Sequence, residues 1–150
     1  MKQVDSSSEF QTNLEEMLFY KIKDSLGSTS LSRNVILTVN QSGGVHVVPD
    51  FYSEEEHIIG EIHSHAGKLK SAQLHKIASD VLKMLLYEKT SGLHFDKYIV
   101  VCDKDEYDQL LGKSALAESL RCFGVTVLLF ELDNETREQL RKVMNAQSFI

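Results

Sequence analysis

The chain has no apolar run near the roughly 20 residues that a membrane-spanning helix needs. Its opening, MKQVDSSSEF, lacks the apolar segment of a secretory signal. The expectation is a cytoplasmic protein with no membrane partner. Thiols are scarce. Cys102 and Cys122 are the only two cysteines, both in apolar surroundings, and they read as free buried thiols in a reducing cytosol. A zinc site built on them would have to recruit histidines from elsewhere. Positive charge is in deficit, with 16 Lys and Arg against 22 Asp and Glu, a net charge of −6 and a pI near 5.5. That counts against a strong, sequence-independent DNA binder. It does not exclude a nuclease, because carboxylates that hold a metal add negative charge and a local basic strip can still meet phosphates. Lys70–Lys83, KSAQLHKIASDVLK, is the candidate strip, with Lys68 just before it. Internal repeats and low-complexity stretches are absent. Proline occurs once, at Pro49, inside a strand-like stretch, where it marks an edge, a bulge or a strand end.

What is there reads as one α/β domain over residues 1–150, long enough to bury a core. Glu9–Leu26 has apolar residues at helical spacing (Phe10, Leu14, Met17 or Leu18, Ile22), with Ser8 as its cap. Asn34–Asn40 and the stretch from Val45, VHVVPDF, read as strands joined by a turn at QSGG, Gln41 to Gly44. HIIGEIHSH, from His57 to His65, reads as a third strand. A long helix from about Ser71 to Glu88 buries Leu74, Ile77, Ala78, Val81 and Leu85. Then come a strand in FDKYIVVCD, one helix over EYDQLLGKSALAESLRCFG closed by Gly124, a strand in VTVLLFEL buried on both faces, and a terminal helix over NETREQLRKVMNAQ capped by Asp133 or Asn134. The order is α-β-β-β-α-β-α-β-α, an antiparallel start followed by crossover units.

Chemistry concentrates between Val47 and Lys68. Side chains alternate along a strand, so Glu61 and His63 share a face with Ile59 and His57, and His65 joins them if the strand stays extended. Ile58, Gly60 and Ile62 face the other layer. If the preceding strand pairs as a hairpin, Asp50 converges on Glu61. Two carboxylates meeting there need a cation or a proton, and such oxygen ligands suit Mg²⁺ or Mn²⁺.

Pro49-Asp50, ten intervening positions, then Glu61-Ile62-His63, set in this element order, resemble the PD-(D/E)XK nuclease superfamily. The resemblance runs from the first helix to about Leu132. It implies a restriction-endonuclease-like core with a mixed central sheet, and metal-dependent phosphodiester hydrolysis, of DNA in the first instance. It also implies roles for individual residues. Asp50 and Glu61 would hold the metal, with His65 as a further ligand or proton carrier. Glu15 or Glu16 would add an acidic group from the first helix. Gln73 and Lys76 would contact phosphate or polarise the water. The chain departs from the motif at its lysine, where His63 stands; Lys68, Lys70 or Lys76 would have to supply the charge. Exposed strand edges and long helices allow a homodimer.

Two other readings are carried. The same fold could serve as a non-catalytic interaction subunit, with a protein partner, in a bacterial defence or mobile-element system. IIGEIHSH also looks like the strand that presents the His-x-His pair of a JAMM-type zinc metallopeptidase, but Ala66, Gln73 and Lys76 stand where that motif has Pro, Ser and Asp. Plainer readings apply too. Asp50 after proline is a turn former, Glu54–Glu56 a solvated turn, and the stripe Gln73, Lys76, Asp80, Lys83 a solvent face. His46, His75 and His94 read as exposed or singly hydrogen-bonded. Gly112-Lys113-Ser114 lacks the upstream glycine of a phosphate loop.

Overall fold

The computed structural model describes residues 2–40 and 43–147, with side chains over 8–40 and 43–146. Its elements run α1 (Lys2–Ser25), β1 (Leu37–Thr38), β2 (His46–Val47), β3 (Phe51–Ser53), β4 (Ile58–His63), α2 (Ser71–Ser91), β5 (Asp96–Val101), α3 (Lys104–Leu110), α4 (Ala115–Cys122), β6 (Val125–Leu129) and α5 (Asn134–Gln147). The fold is mixed α/β. Four strands form one sheet in the order β3-β4-β5-β6, with β3 antiparallel to β4 and the other three parallel.

Both faces of the sheet are covered, as parallel strands require. On one face Ile59, Ile99 and Val101 pack with Ile77, Val81 and Met84 of α2 and Leu120 of α4. On the other, Ile58, Ile62 and Val100 pack with Leu14, Leu18 and Ile22 of α1 and Leu140 of α5. The alternation expected for β4 therefore holds: odd-numbered residues face α2, even-numbered ones face α1. Gly60 is fixed by the second face. A Cβ built there would fall 2.0 Å from the Phe51 ring, its partner across the ladder.

Several expectations change. The stretch from Val45 is two strands, because Pro49 has no N–H to donate and interrupts the ladder. Its first half pairs with β1 as a separate two-stranded sheet. Its second half, β3, joins the main sheet. Gln41 and Ser42 of the expected turn lie outside the described residues. α1 starts well before Ser8, so Ser8 is not its cap. The expected helix over 106–124 is two. α3 ends at Leu110, and Ser114 caps α4 by accepting from the Ala117 N–H. Gly124 closes α4 at φ 69°. β6 is an edge strand with Thr126 exposed, not buried on both faces. Asp133 rather than Asn134 caps α5, accepting from the Thr136 N–H at 2.7 Å. In α2, Ala78 is exposed while Asp80 is buried. Cys122 is exposed; Cys102 is buried. Among the described residues no helix is long and apolar enough to cross a membrane.

Candidate functional site

The site lies at the carboxyl end of β4, where the chain leaves the sheet for α2. Ends of parallel strands are the usual place for ligands in open α/β sheets. The β3–β4 register puts Phe51 opposite Gly60, which brings Asp50 opposite Glu61. Their carboxylates are interlocked through the backbone. The Asp50 N–H donates to Glu61 Oε2 at 3.2 Å, and the Ile62 N–H donates to Asp50 Oδ2 at 2.7 Å. Glu61 is 8% exposed. Burial, reinforced by the negative charges of Asp50 and Asp80, pushes its carboxyl up to about 9.

α1 contributes Glu15, which shares a small cavity with Asp50 and Arg33. Burial and the Asp50 charge raise Glu15, while Arg33 and Lys76 oppose them. Glu16 is exposed. α2 contributes Asp80. Its oxygens lie 3.6 Å from Lys76 Nζ and 3.9 Å from Lys83 Nζ. Burial alone would raise Asp80, but His63 and Lys76 hold it below the usual carboxylate range. Glu15, Asp50, Glu61, Asp80 and Lys76 thus form one chain of interacting charges across α1, the β3–β4 hairpin and α2.

His63 faces α2 as the alternation requires. Its Nε2 lies 3.2 Å from Asp80 Oδ2 but off a hydrogen-bonding direction, so this buried nitrogen has no directed partner. His65 departs from the cluster. β4 ends at His63. Beyond it His65 Nδ1 hydrogen-bonds Glu106 Oε2 on α3. Its Nδ1 is thus held by a carboxylate other than Asp50 or Glu61, and only Nε2 is left for a ligand. Gln73 is also partly committed. Its Oε1 accepts the Lys70 N–H at 3.0 Å and so caps α2. Lys70, whose side chain has only donors, cannot return that bond. The capping role leaves only the Gln73 amide NH₂ for a ligand.

A groove of about 740 Å³ runs along this end of the sheet. Glu15, His63, His65, Gln73 and Lys76 line it, and Lys68 and Lys70 stand at its rim. Among the described residues no three His, Cys, Asp or Glu side chains form a ready metal cage. One observation still fits a cation at Asp50 and Glu61. Burial, with the charges of Asp50 and Asp80, disfavours ionised Glu61, a balance that a bound cation would reverse, and Mg²⁺ is typically held by one or two carboxylates with water completing its shell.

The partners Asp80 and Glu106 were not read from the sequence as site residues. Asp80 looked like part of a solvent-facing stripe, and nothing local marks Glu106, 41 positions from His65. A buried carboxylate between Lys76 and Lys83 was the one available signal for Asp80.

No family model, curated protein or solved structure matches this chain. The functional reading rests on the geometry of the site.

Proposed function

We propose that the protein is a divalent-metal-dependent phosphodiesterase acting on nucleic acid, DNA in the first instance, on a restriction-endonuclease-like core. The observation that carries this reading is the convergence of Asp50 and Glu61 across the β3–β4 hairpin, with Glu15 beside Asp50. The resemblance implies α-β-β-β-α-β around that pair; the chain has four short strands between α1 and α2, of which β3 and β4 enter the main sheet beside β5. Asp50 and Glu61 would hold Mg²⁺ or Mn²⁺, which when bound supplies Lewis-acid activation of water and charge neutralisation at the phosphate. Lys76, exposed at its tip and anchored to Asp80, is placed to meet a phosphate oxygen. Lys68 and Lys70 at the groove rim add local positive charge to an acidic protein. The Gln73 NH₂ is a further donor toward the groove. His63 occupies the position of the motif lysine and orients polar groups through its contact with Asp80.

One observation favours a second reading, the same fold without turnover. His63 is 6% exposed, and an imidazole, unlike the lysine of the motif, is no fixed positive charge at the reacting centre. The peptidase reading lacks such support. His63 and His65 lie against carboxylates on two different helices, Asp80 and Glu106.

The test is calorimetric titration of Mn²⁺ into the wild type and into Asp50→Asn/Glu61→Gln, followed by hydrolysis of plasmid and single-stranded DNA. Binding that vanishes in the double variant, with metal-dependent cleavage by the wild type, supports the nuclease. Metal binding without cleavage supports the second reading. Absence of binding to the wild type overturns the metal nuclease and leaves the second reading.

A further inference from the structure

The segment after β4 is gripped from the β5–α3 junction. The Cys102 thiol lies 3.4 Å from the His65 carbonyl oxygen. Asp103 accepts the Gly67 N–H at 2.9 Å, and its other oxygen accepts the Asp105 N–H at the start of α3. Gln109 holds Leu69 twice, accepting its N–H at 2.9 Å and donating to its carbonyl at 3.1 Å. Within this clamp Glu106 is fully buried, and His65 Nδ1 is its directed partner. The second carboxyl oxygen of Glu106 has no hydrogen-bond partner among the described residues. His65 also lines the groove, with its side chain 14% exposed. With Nδ1 committed to Glu106, the nitrogen left for the groove is Nε2.

We infer that Glu106 is a positioning residue that fixes His65 in one orientation and one tautomer, Nδ1–H toward the carboxylate, so that the Nε2 lone pair faces the groove as a proton acceptor. This rests on the hydrolytic reading above and adds a base to it. A buried carboxylate that orients an imidazole and stabilises the imidazolium is a recurrent arrangement for proton transfer. In the hydrolytic step the attacking water loses a proton to His65 Nε2 as its oxygen bonds to phosphorus. The ester P–O bond breaks, and the departing alkoxide takes a proton from solvent. His65 then returns its proton to solvent. Arg137 stands on the other side of the pair, with Nη2 at 2.8 Å from Asp103 Oδ2. Its charge favours ionised Glu106 and hence the Nδ1–H form. Burial works against it, raising Glu106 to about 7.

The test uses the full-length protein labelled with ¹⁵N-histidine. Multiple-bond ¹H–¹⁵N spectra at pH 7.5 in Mg²⁺ report the tautomer of His65, assigned with His65→Asn. The expected result is a pyridine-like Nε2 in the wild type and a mixture of tautomers in Glu106→Gln, which keeps the shape of the side chain. In parallel, Glu106→Gln is expected to lower kcat for plasmid hydrolysis at least about tenfold with KM unchanged, and Glu106→Asp to recover part of it. A wild-type His65 carrying its proton on Nε2, or a tautomer unchanged in Glu106→Gln, overturns the inference. So does full kcat in a folded Glu106→Gln. If the wild type shows the expected tautomer but cleaves nothing, the positioning by Glu106 stands, and the nuclease reading fails with the proton-transfer step.

Discussion

Asp50 and Glu61 each accept a backbone N–H from the opposite strand, so the two carboxylates are locked together before any ligand arrives. The interlock explains how a half-buried and a buried acid are tolerated side by side. Each is anchored by an amide, and one of them, Glu61, stays protonated well above the normal range. A site built this way is short of one positive charge.

That shortage predicts an unusual pH dependence for the metal-free protein. Glu61 titrates near 4.5 when unfolded and at about 9 when folded. The folded state then binds more protons between these values, so its stability is fullest below pH 4.5 and declines as pH rises toward about 9. Asp80 and Asp103 act oppositely. Their folded values are lowered, so their contribution is present above about 4 and is lost on acidification. Urea unfolding in EDTA from pH 5 to 9 is expected to show a falling curve that Glu61→Gln makes shallower, with a gain on the order of a few kcal/mol at pH 8, while Glu106 and Glu15, also raised, keep part of the slope. Excess Mg²⁺ is expected to reverse the wild-type trend, since a cation favours the ionised pair. A wild-type curve matching Glu61→Gln throughout would show that Glu61 ionises normally.

Gly60 holds the two halves of the site together. It sits between Ile59 and Glu61, and its missing side chain is the space filled by the Phe51 ring, next to Asp50. Gly60→Ala is expected to destabilise by about 2–3 kcal/mol through overpacking and to weaken Mn²⁺ binding. Phe51→Leu in the Gly60→Ala background is expected to recover much of both. Denaturant midpoints and calorimetry read these directly, and an undisturbed Gly60→Ala would mean the hairpin has slack that the packing does not show.

The Gln109 clamp makes a separate prediction. Its side-chain amide satisfies both backbone groups of Leu69, so Gln109→Ala removes two hydrogen bonds from the segment that carries Lys68 and Lys70. A loss of roughly 1–3 kcal/mol is expected, with faster hydrogen exchange confined to residues near Leu69. Exchange spread evenly over the protein would instead indicate a general loss of stability.

How legible all this was depended on range. Alternation along β4 was readable because it is a local rule, and it correctly put Glu61 and His63 on one face. The meeting of Asp50 with Glu61 was readable because a hairpin joins them. Pro49 announced its interruption, though not that the two pieces would enter separate sheets. The long-range partners were not readable. Asp80 shares a stripe with Lys76 and Lys83 that any solvent-facing helix could carry, and only the packing of α2 on the sheet shows that it turns inward. His65 looked like a neighbour of His63, but the strand ends at His63, two residues short of it. The split of the expected helix over 106–124 turned on whether Gly112-Lys113-Ser114 would interrupt it, and helical propensity alone does not decide that.

The departure at His63 gives the sharpest test of the site. Asp80 Oδ2 lies 3.2 Å from its Nε2 and offers a counter-charge to whatever cation stands there. His63→Lys would place an ammonium beside Asp80, on the strand face that also carries Glu61. Under the proposed nuclease reading it installs the motif's lysine and with it a fixed positive charge. Two consequences follow from the same electrostatics. The Glu61 carboxyl should fall from about 9 toward the ordinary range, read by carboxyl ¹³C chemical shifts. Metal-dependent plasmid cleavage should rise at least about tenfold over the wild type, because a fixed charge then meets the developing charge on the phosphate. Asp80→Asn is the control. It removes one of the charges that raise Glu61 and also the anchor of His63, so it should lower the Glu61 value without raising cleavage. If His63→Lys folds and lowers the Glu61 value yet cleaves no faster, then the absent lysine does not limit this site.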